Sequence, residues 1–189
     1  FPKMTSSVVA NGDLVTWDTS LTTQTDYEGE LAVVIGKRAY NVSEEEAVNY
    51  IFGYTIANDI TARDLQDSEQ QWIRAKGLNT FCPLGPSVVI RQEIEDPHSL
   101  SIKTELNGEV VQDGNTSDLI FNVYNLIAYC SRAFTLEPGD VILTGTPPGV
   151  GKAQDPPRYL KDGDEVSVTI EGIGTLKNTC KVIQRIDEA

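Results

Sequence analysis

The stretch DYEGELAVVIG, residues 26–36, places two glutamates on either side of one glycine and then continues as an apolar segment. The apolar residues 31–35 predict a strand that is buried on both faces. Because side chains alternate along a strand, Glu28 and Glu30 lie side by side on one face. On a solvated or salt-bridged face this pair has no special meaning, whereas a buried pair needs a positive charge between its members. The spacing alone leaves both interpretations open.

Composition excludes several classes of partner. The chain has 189 residues, 28 acidic and 15 basic, with a formal net charge of -13. No segment concentrates lysine and arginine, so nucleic acid and anionic membranes are poor partners. No apolar run approaches the roughly 20 residues of a membrane helix, and no signal peptide is visible. The three cysteines have no metal-type spacing and are typical of reduced thiols, so we expect a location in the cytoplasm or another reducing compartment such as the mitochondrial matrix.

Two segments carry helix signals. In NVSEEEAVNYIFGY, residues 41–54, Ser43 and Glu46 form a capping box, the apolar residues have helical spacing, and Gly53 is the expected stop. In NVYNLIAYCSRAF, residues 122–134, an apolar stripe predicts a second helix.

Strand signals cover most of the remaining chain. YTIANDI, residues 54–60, predicts a short strand, and SIKTELNGEVVQDGN, residues 101–115, predicts a hairpin that turns at Asn107-Gly108. From residue 136 onward, strand-like segments alternate with glycine-containing turns. We therefore predict a single domain over residues 1–189 of the α+β class, a β-rich mixed-sheet roll or distorted barrel with a few peripheral helices.

A third acid and two polar residues join the candidate site. Asp59 ends the predicted strand at 54–60, and three carboxylates without nearby His or Cys favour a hard cation such as Mg²⁺, with Mn²⁺ or Ca²⁺ as alternatives. If residues 60–66 are helical, Asp59, Arg63 and Gln66 share one face. Arg63 then holds a substrate carboxylate, unless the segment is an ordinary surface helix. Lys76, on pattern alone, is typical of a solvated lysine.

The glycine-rich stretch LTGTPPGVGK, residues 143–152, is not a Walker loop, because five residues separate Gly145 from Gly151 and alanine follows Lys152. Its amides and the hydroxyls of Thr144 and Thr146 suit a small anion. The single histidine, His98, lies in a predicted turn, and no Ser-His-Asp or Cys-His set can be built without a second histidine.

Six blocks, in this order, resemble the fumarylacetoacetate hydrolase family. They are DYEGELAVVIGK (26–37), GYTIANDITARDLQ (53–66), AKGLNTFCPLGP (75–86), LNGEVVQDGNTSDLIF (106–121), LEPGDVILTGTPPGVG (136–151) and LKDGDEVSVTIEGIG (160–174). The resemblance implies that Glu28, Glu30 and Asp59 bind one divalent metal, Mg²⁺ first. It also implies that Arg63, Gln66, Lys76 and Thr146 face the substrate, that Lys76 is catalytic, and that Thr80 lies near the metal.

The resemblance implies a homodimeric enzyme that acts on small 2-oxo acids, with a metal-stabilised enolate. Hydrolysis of a C–C bond in acylpyruvates is the first expectation, and oxaloacetate decarboxylation or keto–enol isomerisation of 2-hydroxydienoates is the alternative. A non-catalytic, metal-stabilised binding module is a third possibility.

Two departures from the family bear on this choice. The family's water-activating His-Glu pair precedes the position matching Phe1-Pro2-Lys3, so we expect it upstream of Phe1 on a lid segment. The stretch KGLNT also replaces the common Lys-Ser-Phe-Asp-Thr, which changes the pocket at Gly77 and Asn79.

Overall fold

The computed structural model describes residues 1–184, and β-strands dominate that part of the chain. The twelve strands are β1 (Val8–Val9), β2 (Leu14–Asp18), β3 (Thr25–Asp26), β4 (Gly29–Ile35), β5 (Ile51–Asn58), β6 (Thr61–Ala62), β7 (Cys82–Ile90), β8 (Ser101–Leu106), β9 (Glu109–Asn115), β10 (Val141–Leu143), β11 (Glu165–Ile170) and β12 (Gly174–Ile183). The α-helices are α1 (Arg63–Ser68), α2 (Ile73–Lys76) and α3 (Val123–Ala133).

Two mixed sheets form the body of the fold. The first has the order β1-β7-β5-β4-β10 and the second the order β2-β12-β11-β8-β9, while β3 and β6 pair separately. Each large sheet contains one parallel pair, β1 with β7 and β12 with β2, among antiparallel ones. Apolar side chains of β4 and β5 pack against those of β8, β11, β12 and α3 to form the main core. The predicted α+β class, a β-rich fold of mixed sheets with few helices, is confirmed.

Strand β4 lies between β5 and β10 and is buried over almost its full length. Leu31, Val33 and Ile35 are each 1% exposed, so the prediction of a strand buried on both faces is confirmed. In the antiparallel register with β5, Gly29 faces Asn58 and Glu30 faces Ala57. This register brings the residue that follows β5, Asp59, beside Glu28, whose carbonyl oxygen accepts the Asp59 N–H at 2.8 Å.

The predicted helix at residues 41–54 is wrong. The capping contact exists, because the Glu46 N–H donates to Ser43 Oγ at 3.3 Å, but only a 3₁₀ turn forms, at Ala47–Tyr50. Gly53 does not end a helix but lies within β5, where an added Cβ would overlap the Val89 carbonyl oxygen of β7. Pairing of β5 with strands on both sides outweighs the local helix preference.

The hairpin and the second helix are confirmed. Asn107 and Gly108 connect β8 to β9 with φ angles of 54° and 80°, the left-handed backbone that the Asn-Gly pair favours. Helix α3 begins after Asn122, whose side chain accepts the Asn125 N–H at 2.8 Å. His98 supports this helix end, since its Nε2 accepts the Val123 N–H at 3.2 Å.

Helix length and cysteine pairing are two further features of the fold. Within residues 1–184, none of the helices is both long enough and apolar enough to cross a membrane. The cysteines at positions 82, 130 and 180 are all free.

Candidate metal and substrate site

Glu28, Glu30 and Asp59 form a buried acidic cluster. The three residues are 8%, 4% and 2% exposed, and one carboxylate oxygen from each lies within 4.8 Å of the others. Glu28 immediately precedes β4, Glu30 is its second residue, and Asp59 follows β5. The structure therefore brings together the three acids that the sequence predicted as metal ligands, and it places them on a buried face rather than a solvated one.

The glycine between the two glutamates has a packing role. A Cβ at Gly29 would overlap Thr104 Oγ1 of β8 and a methyl group of Val168 in β11. Strand β4 therefore crosses the second sheet too closely for any side chain at this position. Alternation along the strand directs Glu28 and Glu30 away from that contact and into the cluster.

Three basic side chains contact the cluster. Lys76 Nζ lies 2.9 Å from Glu28 Oε2 and 2.8 Å from Asp59 Oδ2, while Lys3 Nζ lies 2.6 Å from Asp59 Oδ1. Arg63 Nη1 lies 2.6 Å from Glu28 Oε1. Lys76 is only 2% exposed, so the prediction of a solvated lysine from its local pattern is wrong. Its position at the end of the short helix α2 inserts it between two carboxylates.

Arg63, the first residue of α1, is held on two sides. Its Nε donates to Asp26 Oδ2 at 2.8 Å and its Nη1 donates to Gln66 Oε1 at 3.0 Å, whereas the buried Nη2 has no hydrogen-bond partner among the described residues. Burial lowers the pKa of the Arg63 guanidinium, but Glu28 and then Asp26 outweigh it and raise that pKa above its ordinary value. Arg63 and Gln66 were predicted to share one face, and in the structure they are hydrogen-bonded to each other.

Asp59 does not share the helical face predicted for it. The residues after it form strand β6, and α1 begins only at Arg63. Its carboxylate is instead held by the two lysines.

Glu30 differs from its neighbours because it has no ion pair within residues 1–184. Its Oε2 accepts the Gly145 N–H at 2.7 Å. Burial, followed by the charges of Asp59 and Glu28, raises the pKa of the Glu30 carboxyl to about 8. Near neutral pH this buried group therefore keeps its proton unless another cation reaches it.

The glycine-rich stretch 143–152 binds carboxylates of the chain itself. Gly145 N–H donates to Glu30, and the N–H groups of Gly151 and Lys152 donate to Asp26 at 2.7 and 2.9 Å. These three amides therefore bind anionic groups, as predicted, but the groups are carboxylates of the chain itself and not a separate small anion.

Three threonine hydroxyl groups at the predicted site form hydrogen bonds with backbone groups. Thr144 and Thr146 donate to the carbonyl oxygens of Leu31 and Gly29, each at 2.9 Å. Thr80 has a φ of 69°, and its Oγ1 accepts the Thr16 N–H at 2.8 Å.

Sequence reasoning missed Asp26, Lys3 and Gln112. Gln112, 1% exposed, accepts the Gly29 N–H at 3.0 Å and donates to Thr146 Oγ1 at 2.8 Å. The strand alternation that paired Glu28 with Glu30 would have reached Asp26 two residues earlier. Lys3 and Gln112 carry no local signal, since their role depends on distant segments.

The chain is similar to known proteins over almost its full length. Residues 1–181 match the family described as fumarylacetoacetate (FAA) hydrolase, C-terminal. A Bacillus subtilis protein named oxaloacetate tautomerase is 49% identical over 178 residues, which are 94% of this chain and 59% of that protein. The chain therefore spans less than two thirds of that relative.

Solved structures agree with this match. A fumarylacetoacetate hydrolase from Exiguobacterium antarcticum superposes with a TM-score of 0.94 at 46% identity, over 97% of this chain and 66% of that one. A 2-hydroxyhepta-2,4-diene-1,7-dioate isomerase from Mycobacterium marinum superposes with a TM-score of 0.90 at 44% identity, over 98% of this chain and 69% of that one.

Proposed function

The chain belongs to the fumarylacetoacetate hydrolase family, and from that premise we propose that it is a divalent-metal-dependent enzyme that interconverts keto and enol forms of small 2-oxo diacids such as oxaloacetate. The observation that carries the proposal is the buried cluster of Glu28, Glu30 and Asp59 with Lys76 in direct contact. We propose Mg²⁺ as the cation and a homodimer as the assembly.

The donor set fits a hard divalent cation. Carboxylate oxygens are the ligands that Mg²⁺, Mn²⁺ and Ca²⁺ prefer. Opposite ligands of one ion lie about 4.2 Å apart for Mg²⁺ and about 5 Å apart for Ca²⁺, so oxygens within 4.8 Å of one another can share an ion after small side-chain shifts. Glu28, Glu30 and Asp59 would hold it, and a cation beside Glu30 would favour the ionised form of that carboxyl.

The basic residues suit an anionic substrate in an acidic protein. Arg63 presents a buried Nη2 without a partner, which is a donor ready for a carboxylate oxygen. Lys76 and Lys3 add positive charge on the other side of the cluster. The chain carries a net charge of -13, but three basic side chains contact the cluster, and a bound divalent cation would make the site locally positive.

Lys76 is the residue best placed to move a proton. Keto–enol interconversion needs a proton to be taken from or given to the carbon beside the keto group, and a bound divalent cation would supply charge stabilisation for the developing enolate. Lys76 Nζ lies 2.9 Å from Glu28 Oε2 and 2.8 Å from Asp59 Oδ2, so it would lie close to a substrate bound to a cation at these acids.

Tautomerisation is better supported than hydrolysis, which was the first expectation from the resemblance. Keto–enol interconversion needs a group that moves one proton, and Lys76, in contact with Glu28 and Asp59, can supply it. The names of the Bacillus subtilis and Mycobacterium marinum relatives also favour a tautomerase or an isomerase. Isomerisation of a 2-hydroxydienoate is the second candidate, because it uses the same proton transfer.

An assay that monitors the ultraviolet absorbance of the oxaloacetate enol in the presence of Mg²⁺ tests this function, because the absorbance falls as the enol is converted. Wild-type protein should accelerate this fall, EDTA should abolish the effect, and Lys76→Met should lose most of the activity while the exposed-lysine control Lys103→Met retains it. Pyruvate release at the rate of enol loss would indicate a decarboxylase instead. Cleavage of an acylpyruvate without tautomerase activity would restore the hydrolase interpretation, and no turnover with bound Mg²⁺ would indicate a binding module.

A further inference from the structure

Asp26 is a fully buried carboxylate outside the proposed metal ligands, and its hydrogen bonds are saturated. It is 0% exposed. Oδ1 accepts the N–H groups of Tyr27 at 2.9 Å and Gly151 at 2.7 Å, and Oδ2 accepts Arg63 Nε at 2.8 Å and the Lys152 N–H at 2.9 Å. One side chain thereby joins the strand that leads to Glu28, the glycine-rich stretch and helix α1.

These contacts leave Arg63 little freedom. Asp26 holds Nε, while Glu28 and Gln66 hold Nη1. Because the guanidinium is planar and rigid, fixing Nε and Nη1 also fixes the direction of Nη2. Nη2 is the buried atom that lacks a partner. Asp26 thus determines where the free donor of Arg63 is presented.

The backbone of the glycine-rich stretch also lies very close to Asp26. A Cβ at Gly151 would overlap the Arg158 carbonyl oxygen and would lie 2.7 Å from Asp26 Oδ1. Only glycine allows the loop backbone to approach the carboxylate this closely. The stretch that supplies Gly145 to Glu30 and Thr146 to Gly29 is therefore anchored by the same residue that orients Arg63.

We propose that Asp26 is a positioning residue that pre-orients Arg63 for the substrate carboxylate and ties the glycine-rich stretch to it. This inference rests on the proposed function, because it assumes that Arg63 Nη2 receives a 2-oxo acid. Asp26 does not touch the substrate, so its effect passes through Arg63. A purely structural Asp26 would change stability without acting through that residue.

A double-mutant cycle separates these two roles. In Asp26→Asn the new amide nitrogen faces two N–H donors in either orientation, so two of the four contacts are replaced by repulsion. With Mg²⁺-loaded protein, the affinity for oxalate measured by calorimetry should fall at least about tenfold, and KM for oxaloacetate should rise similarly while kcat changes little. In an Arg63→Lys background, which lacks Nε, Asp26→Asn should have almost no further effect on oxalate affinity.

Asp64→Asn is the matched control. Asp64 also joins α1 to the segment before β3, through Thr22 Oγ1 at 2.6 Å and the Thr23 N–H at 3.0 Å, but among the described contacts its carboxylate does not bind the Arg63 guanidinium. Oxalate affinity in this variant should equal that of the wild type. Independent, multiplicative losses of oxalate affinity from Asp26→Asn and Arg63→Lys would overturn the positioning role.

Nuclear magnetic resonance of the wild-type protein gives a second measurement that does not depend on turnover or on folding of the Asp26 variant. The Arg63 Nε–H signal, assigned by its absence in Arg63→Lys, should exchange slowly with water before oxalate is added. Fast exchange in the free protein, with protection only after oxalate binds, would overturn pre-orientation. A protected signal in a protein that neither binds oxalate nor converts oxaloacetate would support the Asp26–Arg63 geometry and overturn the proposed function alone.

Discussion

Arg63 and Lys76 hold the two oxygens of one carboxylate, with Arg63 Nη1 2.6 Å from Glu28 Oε1 and Lys76 Nζ 2.9 Å from Glu28 Oε2. The two bases come from different short helices, α1 and α2. Glu28 is thereby oriented from both sides before any ligand arrives, which reduces the reorganisation that ligand binding requires.

The charges around this pair are close to balanced. Four carboxylates (Asp26, Glu28, Glu30 and Asp59) face three bases (Lys3, Arg63 and Lys76) through the contacts described above. With a divalent cation and all four acids ionised, the fixed charges leave one net positive charge. A site of this kind attracts an anion, in agreement with a 2-oxo acid substrate.

Replacement of Glu30 by glutamine should abolish Mg²⁺ binding, because it removes one of three anionic ligands and leaves a neutral amide in its place. Calorimetric titration of Glu30→Gln with MgCl₂ should show no saturable heat in the range where wild-type protein saturates. Glu105→Gln is the control, since Glu105 is an acid of β8 that lies outside the cluster. Unchanged Mg²⁺ affinity in Glu30→Gln would remove Glu30 from the ligand set.

The stability of the metal-free protein should fall as pH rises from about 4.5 to about 8. The ordinary pKa of a glutamate carboxyl is 4.5, and the fold raises the pKa of Glu30 to about 8, so the folded state binds an extra proton between these values. The unfolded state binds fewer protons in this window, and stability therefore decreases with increasing pH across it. Urea unfolding in EDTA should show this slope in the wild type, and Glu30→Gln should flatten it.

Lys76→Met should reduce kcat by roughly 10²–10⁴-fold, the range typical of a lost acid–base group. Its affinity for Mg²⁺ should stay the same or increase, because removing a cation that contacts Glu28 and Asp59 relieves repulsion with the metal. Arg63→Lys should instead raise mainly KM. Steady-state kinetics on oxaloacetate with parallel Mg²⁺ titrations distinguish the two, and a Lys76 effect confined to KM would contradict the proton-transfer role.

Gly29→Ala should destabilise the fold by about 1–3 kcal/mol, the usual cost of overpacking, and should weaken Mg²⁺ binding by displacing the flanking glutamates. The added Cβ would overlap Thr104 Oγ1 of β8. Thr104→Ala removes that atom, which has no hydrogen-bond partner among the described residues, and should restore part of the loss in the double variant. Equal melting temperatures for wild type and Gly29→Ala would show that the strands separate without cost.

Periodicity along the chain was sufficient to predict much of the fold. It identified the buried strand at residues 31–35, the hairpin at 101–115 and the helix at 122–134, and it placed Glu28 beside Glu30 and Arg63 beside Gln66. Each of these relationships lies within one element or between elements joined by a tight turn. Side-chain direction there follows from the backbone repeat, so the local sequence contains the necessary information.

The tertiary structure alone decided the rest. The segment 41–54 carries real helix signals, but strand pairing on both sides of β5 outweighs them. Lys76 is typical of a solvated residue in its own segment, and Lys3 carries no signal, yet both contact Asp59 across 17 and 56 residues of sequence. Strand register and the packing of short helices set these distances, and both depend on contacts among segments that are remote in sequence. The residue types therefore favour a hard cation as the ligand of these acids, whereas the fold determined which side chains meet.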